Sequence, residues 1–98
     1  MMAAGMANGF YELGGQKVTV KDRKAVLEDG TIAGSATSLY ECMRCVIAMG
    51  VPERAAVFAA TRNPARSIGI YDEVGSLVPG KKADIVLADE KLNIVKVI

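Results

Sequence analysis

The stretch GSLVPGKKADIVLAD, from Gly75 to Asp89, decides the fold class of this 98-residue chain. Its short apolar start, GSL, leads into Pro79-Gly80, where glycine accepts the positive φ that a type II turn requires. The nearly continuous apolar segment ADIVLA follows, and after the polar turn DEKL the segment NIVKVI alternates between apolar and polar residues. GSL, ADIVLA and NIVKVI are therefore predicted to be strands.

Upstream of this stretch, the patterns predict a loop and a hairpin. Residues 1–15 are rich in glycine and small residues and predict a loop. The alternating segment QKVTV and the apolar segment AVL predict a β-hairpin with KDRK as a four-residue connection.

Three helices are predicted between residues 38 and 69. Ser38 and Glu41 have the spacing of a capping box, in which the serine oxygen accepts a hydrogen bond from an otherwise unpaired backbone N–H. The apolar residues at helical spacing after the cap are expected to face a core: Leu39, Met43, Val46 and Ile47. Gly50 fits the end of the first helix and Pro52 the first turn of the second, and Asn63 is expected to cap a short third helix.

The composition excludes several classes of partner. The net charge is +1, the 12 basic and 11 acidic residues are interspersed, and aromatic residues make up only 5% of the chain, so we expect no nucleic-acid partner. No apolar run approaches the roughly 20 residues that cross a bilayer. The opening MMAAGMANGF lacks the basic and apolar regions of a signal peptide, so we expect no membrane partner and a cytoplasmic location.

Few residues in this chain could carry catalysis. Histidine is absent, and Cys42 and Cys45 form a C-x-x-C inside a helical pattern, where we expect buried or half-buried thiols and no zinc site. Arg66 is expected to pair with a carboxylate, and Lys81 and Lys82 to be solvated. Solvated carboxylates are also expected for five aspartates in turns or at strand edges: Asp22, Asp29, Asp72, Asp84 and Asp89.

The chain resembles the C-terminal part of the N-acetylglucosamine-6-phosphate deacetylase family, a branch of the amidohydrolase superfamily. The resemblance covers essentially the whole chain. It rests on the order of MMAAGM, YELGGQKVTV and LEDGTIAGS, followed by ATRNPARSIGI and VGSLVPGKKADIVLADEKLNIVKVI.

This resemblance implies an α/β fold in which the C-terminal portion of a (β/α)8 metal-dependent hydrolase barrel, with a β-hairpin and two to three helices, precedes the C-terminal strands of a small β-sandwich domain. Residues 1–72 would be the last part of the barrel and residues 73–98 the sandwich strands. The N-terminal strands that complete the sandwich are expected to lie outside this chain.

The resemblance also implies a function. The family removes acetate from N-acetylglucosamine 6-phosphate, and one or two divalent metal ions, zinc or iron, activate the attacking water. The metal ligands and the general base would precede these 98 residues, so we expect no catalytic residue, no metal ligand, no bound metal and no activity in the isolated chain.

One substrate-contacting element of the family does match this sequence, at Ile32, Ala33 and Gly34. Gly34 would allow close approach to the backbone. The segment leads towards a helix, whose unpaired N-terminal N–H groups favour a polar or anionic ligand. The alternative is that the segment is only a flexible entry to a capped helix.

Two other functions remain open from the sequence. The chain could be a non-catalytic fragment that self-associates through exposed strand edges, or the tail of another amidohydrolase, such as a dihydroorotase-like enzyme. For the deacetylase hypothesis, the expected partners are a small-molecule amino-sugar phosphate and further copies of the chain in a homo-oligomer.

Overall fold

The computed structural model describes residues 3–98, which form strands and helices in two compact units. In chain order the elements are β1 (Gly9–Leu13), β2 (Gln16–Lys21), β3 (Lys24–Leu27), β4 (Ile32–Gly34), α1 (Leu39–Ala48), α2 (Glu53–Ala60), α3 (Arg62–Ser67), β5 (Val86–Ala88) and β6 (Ile94–Val97). The first unit ends at Cys42, and the second unit runs Met43–Ile98. These units are defined by the contacts within each of them and are not the expected domains. The domain boundary expected between residues 72 and 73 stays a prediction.

The sheet of the first unit is an antiparallel meander in the order β1-β2-β3-β4. Its first two connections are two residues long, since Leu13 pairs with Gln16 and Lys21 pairs with Lys24. All four connecting residues have positive φ, from 50° to 82°. Such turns match the right-handed twist of the flanking strands, so the glycine pair at 14–15 and the pair at 22–23 set the register of the sheet.

The core of the first unit lies on one face of this sheet. Val18 and Val20 of β2 are 1% and 2% exposed, and both point to the same face because side chains alternate along a strand. They cluster with the buried Ala3 and Ala25. Four partly buried residues pack against this cluster: Tyr11, Leu27, Ala33 and Ala36.

The predicted loop and the predicted hairpin connection are both corrected by the structure. The loop over residues 1–15 is wrong at Gly9–Leu13, which forms β1; Met1 and Met2 lie outside the described residues. Burial alternates from Gly9 to Glu12, but Phe10 is 88% exposed, so the apolar residues of β1 do not follow the alternating pattern by which strands are recognised in a sequence. The hairpin between β2 and β3 is confirmed, but its connection has two residues instead of four.

Helix α1 has the predicted start and end. The Ser38 Oγ accepts a hydrogen bond from the Glu41 N–H at 3.2 Å, which confirms the serine half of the capping box. At the other end, the Val51 N–H donates to the Val46 carbonyl at 3.0 Å and the Gly50 N–H to the Ile47 carbonyl at 2.9 Å, as in a Schellman motif.

The prediction of core-facing residues on α1 holds best for Met43, which is 8% exposed. Ile47 is half-buried. Leu39 and Val46 are 57% and 36% exposed, so the prediction is wrong for these two residues. The helical spacing identified the apolar residues but not which of them meet other parts of the unit.

Helices α2 and α3 follow one another with only Thr61 between them. Pro52 lies directly before α2, and its carbonyl accepts hydrogen bonds from the backbone of Ala55 and Ala56. Asn63 is not the cap of α3, because the helix begins one residue earlier, at Arg62. None of the helices formed by residues 3–98 combines the length and the hydrophobicity that a bilayer crossing requires.

The last part of the second unit contains a two-stranded antiparallel sheet. β5 and β6 confirm the strands predicted in ADIVLA and NIVKVI, and Ile85 and Ile98 exchange both backbone hydrogen bonds next to them. The Pro79-Gly80 turn is also confirmed, since the Lys81 N–H donates to the Val78 carbonyl and Gly80 has φ +94°. GSL is not a strand, because Gly75 has φ +88° and the segment bends.

Gly75 lies against α3. A Cβ added at this position would lie 2.9 Å from the Ala65 Cβ and 3.2 Å from the Thr61 carbonyl oxygen. The same addition at Gly80, which also has positive φ, would meet nothing within 4 Å. The two glycines therefore share a backbone conformation but differ in steric surroundings.

We expect Gly75→Ala to lower the free energy of unfolding by about 3 kcal/mol, because it adds a clash to the cost of positive φ. Gly80→Ala is the matched control and is expected to cost only about 1 kcal/mol, since it adds no clash. Urea unfolding of both variants measures the difference. Equal losses would show that the contact between residue 75 and α3 does not constrain the fold.

Candidate functional site

The tripeptide predicted to contact a ligand forms strand β4 at the edge of the four-stranded sheet. It pairs with β3 through Val26↔Ile32 and Ala25↔Gly34, so Ala33 is the additional residue of a β-bulge. The opposite side of β4 faces no other strand among residues 3–98. Because an edge strand presents unpaired backbone N–H and C=O groups, β4 can offer hydrogen bonds to a molecule beside the sheet.

The three residues of β4 have different surroundings. Ile32 is 79% exposed, whereas Ala33 is half-buried against the core of the first unit. A Cβ added at Gly34 would meet nothing within 4 Å. The space above Gly34 is therefore open, and a ligand can reach the backbone there without displacing a side chain.

A small pocket opens beside β4. Its volume is about 80 Å³, and its lining comes from Ala3, Leu13, Val18, Ala25, Ala33, Gly34 and Ser35. Pockets that hold whole small molecules have volumes of roughly 300–1,000 Å³. This pocket can thus take one small group and not an entire sugar phosphate. Sequence reasoning missed it because Leu13 falls in the region predicted as a loop.

The segment between β4 and α1 is held by its own side chains. The Ser35 Oγ donates to the Thr37 carbonyl at 2.9 Å and accepts from the Thr37 N–H at 3.3 Å. Helix α1 begins at Leu39, five residues after Gly34, and the Ser38 hydroxyl already caps it. The expectation that Ile32–Gly34 lies at the N-terminus of a helix is therefore wrong. What β4 can offer a ligand is the backbone of an edge strand.

The turn that leads into β4 depends on Asp29. Its Oδ1 accepts a hydrogen bond from the Thr31 N–H at 2.9 Å, and the Thr31 carbonyl accepts one from the Leu27 N–H at 2.8 Å. The hydrogen bonds from the Thr31 backbone and side chain lower the pKa of the Asp29 carboxyl below its usual value of 3.8. The carboxylate thus fixes the residue that precedes β4.

Because the pKa of Asp29 is lower in the folded chain than in the unfolded chain, its contribution to stability is present above about pH 4 and is lost as the pH falls through the folded pKa. We expect the Thr31 amide resonance to move upon this titration in a pH series from 7 to 2 followed by NMR. In Asp29→Asn, which keeps an acceptor oxygen but does not titrate, the same resonance should stay in place. A Thr31 shift that persists in the variant would contradict this role.

The described residues do not fit a metal ion. The sequence has no histidine, and no group of three or more cysteine, aspartate or glutamate side chains converges within residues 3–98. Among the aspartates expected to be solvated, Asp29 and Asp89 are exposed and also accept hydrogen bonds from the backbone of nearby turn residues. Cys42 and Cys45 are free thiols and are exposed, so the expectation that they are buried or half-buried is wrong.

A cluster of cations surrounds Tyr71 in the second unit. The Arg66 Cζ and the Lys81 Nζ lie 4.7 Å and 3.5 Å from the centre of the Tyr71 ring, and the Arg62 Cζ lies 5.8 Å from it. The Lys81 Nζ also donates to the Tyr71 carbonyl. The carboxylate partner expected for Arg66 is thus replaced by an aromatic ring, and Lys81 is not simply solvated.

Lys82 is exposed to solvent, as expected, and it also takes part in an ion pair. Its Nζ lies 2.7 Å from Glu73 Oε2, so it forms an exposed ion pair within the second unit. The hydrogen bond and the charge of Lys82 lower the pKa of Glu73. Such an exposed pair contributes little to stability, and neither residue belongs to the site beside β4.

The sequence of this chain is similar to those of known amidohydrolases. The model of the amidohydrolase family matches residues 17–98. N-acetylglucosamine-6-phosphate deacetylase of Bacillus subtilis (strain 168) is 38% identical over 96 residues, which are 97% of this chain and 24% of that protein. N-acetylgalactosamine-6-phosphate deacetylase of Escherichia coli O157:H7 is 36% identical over 95 residues, 96% of this chain and 25% of that protein.

The fold of this chain is also similar to that of a deacetylase whose structure has been solved. N-acetyl-D-glucosamine-6-phosphate deacetylase of Mycobacterium smegmatis, a mutant in complex with N-acetyl-D-glucosamine-6-phosphate, is similar to this chain with a TM-score of 0.81 and 35% identity. The match covers 100% of this chain and 27% of that chain. This chain therefore spans about a quarter of the length of the deacetylases that it matches.

These matches identify the family to which the chain belongs. The chain belongs to the amidohydrolase family, because the family model matches most of its length. The similarity to N-acetylglucosamine-6-phosphate deacetylases expected from the sequence motifs is confirmed.

Proposed function

We propose that this chain is part of a metal-dependent deacetylase that hydrolyses the acetamide of N-acetylglucosamine 6-phosphate to glucosamine 6-phosphate and acetate. The observation that carries the proposal is the likeness of the whole chain to the Mycobacterium smegmatis deacetylase, whose structure contains this sugar phosphate. The likeness to the Bacillus subtilis deacetylase supports the same activity.

In this proposal, the chain contributes to substrate recognition through Ile32, Ala33 and Gly34. Their place at a sheet edge supports the role, because backbone groups there have no strand partner within residues 3–98. The open space above Gly34 supports it as well, since a polar substrate could approach to hydrogen-bonding distance.

The proposal assigns the chemical step to other parts of a longer polypeptide. Deacetylases of the amidohydrolase family generally use a divalent metal ion, and zinc or iron would supply an activated water. Residues 3–98 offer no fitting ligand set, so the metal ligands and the general base belong to the remaining three quarters of such an enzyme. What this chain supplies is scaffold and the substrate-facing strand.

The finer architecture is part of the same proposal: residues 1–72 complete a (β/α)8 barrel and residues 73–98 add strands to a small β-sandwich. The exposed apolar side chains of β6 support this, since Val95 and Val97 are 70% and 64% exposed. An isolated two-stranded sheet is marginal in water, so such strands are expected to pack on further polypeptide. A homo-oligomeric assembly and a cytoplasmic location complete the proposal.

Two alternatives have specific support. The Escherichia coli relative supports N-acetylgalactosamine 6-phosphate as the substrate, at nearly the same identity as the Bacillus relative. The exposed strands β5 and β6 support self-association of the chain by itself. The first alternative changes one hydroxyl configuration of the sugar, and the second removes catalysis altogether.

We expect a full-length deacetylase that carries residues 1–98 to release acetate from N-acetylglucosamine 6-phosphate in the presence of zinc or iron, with a turnover of roughly 1–1,000 s⁻¹. A chelator should abolish this activity. Residues 1–98 alone should release none, because they lack the ligand set for the metal. Acetate release is measured for both proteins and for both amino-sugar phosphates.

Each outcome of this assay has a defined meaning. Faster turnover of N-acetylgalactosamine 6-phosphate would favour the first alternative. Turnover by residues 1–98 alone would contradict the division of roles, and no turnover of either sugar by the full-length protein would refute the deacetylase assignment. Size-exclusion chromatography of residues 1–98 tests self-association.

A further inference from the structure

We propose that the pocket beside β4 receives the methyl group of the substrate's N-acetyl group and thereby selects for short acyl chains. This inference rests on the proposed function and extends it to residues that the family resemblance did not mark. Ala33 and Gly34, two of the three predicted substrate-contacting residues, line this pocket together with Leu13 and Ala25. A sugar that contacts β4 would therefore have the pocket directly beside it.

The chemistry of the lining favours an apolar group. The side chains of Ala3, Leu13, Val18, Ala25 and Ala33 are all apolar. The one polar side chain in the lining, Ser35, has its hydroxyl engaged with Thr37 on both sides, as donor and as acceptor. Since five of the seven lining residues have apolar side chains and the Ser35 hydroxyl is already engaged, a methyl group suits this pocket better than a hydroxyl group does.

The size of the pocket sets an upper limit on the acyl chain. An apolar cavity of about 150 Å³ takes a benzene molecule of six carbon atoms, and this pocket has a volume of about 80 Å³. On that scale, it accommodates about three heavy atoms. The methyl carbon, carbonyl carbon and carbonyl oxygen of an acetyl group account for all three, so each further methylene is disfavoured.

Two lining residues can change this limit without disturbing the buried core. Leu13 is 47% exposed and ends β1, so shortening it enlarges the pocket at its rim. Ala33 is half-buried and lies at the bulge of β4, so a larger side chain there fills the pocket. Ala25 is 1% exposed, and enlarging it would strain the core instead.

The test uses the full-length deacetylase and three substrates, the N-formyl, N-acetyl and N-propionyl derivatives of glucosamine 6-phosphate. A methylene in an apolar pocket changes kcat/KM by roughly 10-fold or more. We expect Leu13→Ala to raise the propionyl-to-acetyl ratio of kcat/KM by about 10-fold. We expect Ala33→Val to raise the formyl-to-acetyl ratio by about as much.

The controls separate acyl selection from general damage. Phe10→Ala removes an exposed apolar side chain from the other face of the same strand and should leave both ratios unchanged. Inhibition by glucosamine 6-phosphate, which has no acyl group, should be the same in Leu13→Ala, in Phe10→Ala and in the unaltered enzyme. Circular dichroism confirms folding, and if one of the two variants does not fold, the other decides.

The results also distinguish this inference from the proposed function on which it rests. If the unaltered enzyme deacetylates the N-acetyl sugar but a folded Leu13→Ala or Ala33→Val variant keeps its ratio, the acyl pocket is refuted and the deacetylase assignment stands. If the unaltered enzyme turns over no N-acetyl sugar phosphate, the proposed function is refuted and the acyl pocket with it.

Discussion

The packing of Val18 and Val20 against Ala3 and Ala25 is the interaction on which the first unit depends. Each buried valine contributes roughly 1.5–3 kcal/mol relative to an exposed one. Since the side chains of a strand alternate between faces, a slip of one residue would turn both valines towards solvent. The same register fixes β3 and, through it, β4, so this small core positions the strand that we propose to face the substrate.

The second unit has fewer buried side chains and relies on different contacts. Met43, Ala56 and Ala65 are its buried apolar residues, and two of the three are alanines. Three cationic side chains lie around the ring of Tyr71. The lack of a side chain at Gly75 allows the backbone there to approach α3 closely. Apolar strands that stay exposed, as in β5 and β6, are what we expect of a unit that packs within a larger enzyme.

Much of the local structure could be predicted from the sequence where a residue acts through its own backbone. Ser38, Gly50 and the Pro79-Gly80 turn fall where their chemistry requires. The wrong predictions concern a strand whose apolar residues do not alternate and a side chain whose partner lies outside its own helix. β1 pairs with β2 over its whole length, but its apolar residue Phe10 is exposed. Arg66 contacts the ring of Tyr71, which lies beyond the end of its helix.

The surroundings of the candidate site could likewise not be predicted from the sequence. The tripeptide Ile32–Gly34 came from family motifs, but its setting at a strand edge and the pocket beside it could not be read from spacing. The pocket joins residues from β1, β2, β3 and β4 with Ala3, so it depends on the register of the whole sheet. No local pattern in the sequence carries that information.

The most direct test of the central claim, that β4 faces an amino-sugar phosphate, is a crystal structure of the full-length protein with N-acetylglucosamine 6-phosphate. The account predicts polar atoms of the sugar within hydrogen-bonding distance, about 2.7–3.2 Å, of the backbone of Ile32–Gly34. A sugar phosphate bound elsewhere, with β4 in contact only with solvent, would contradict it.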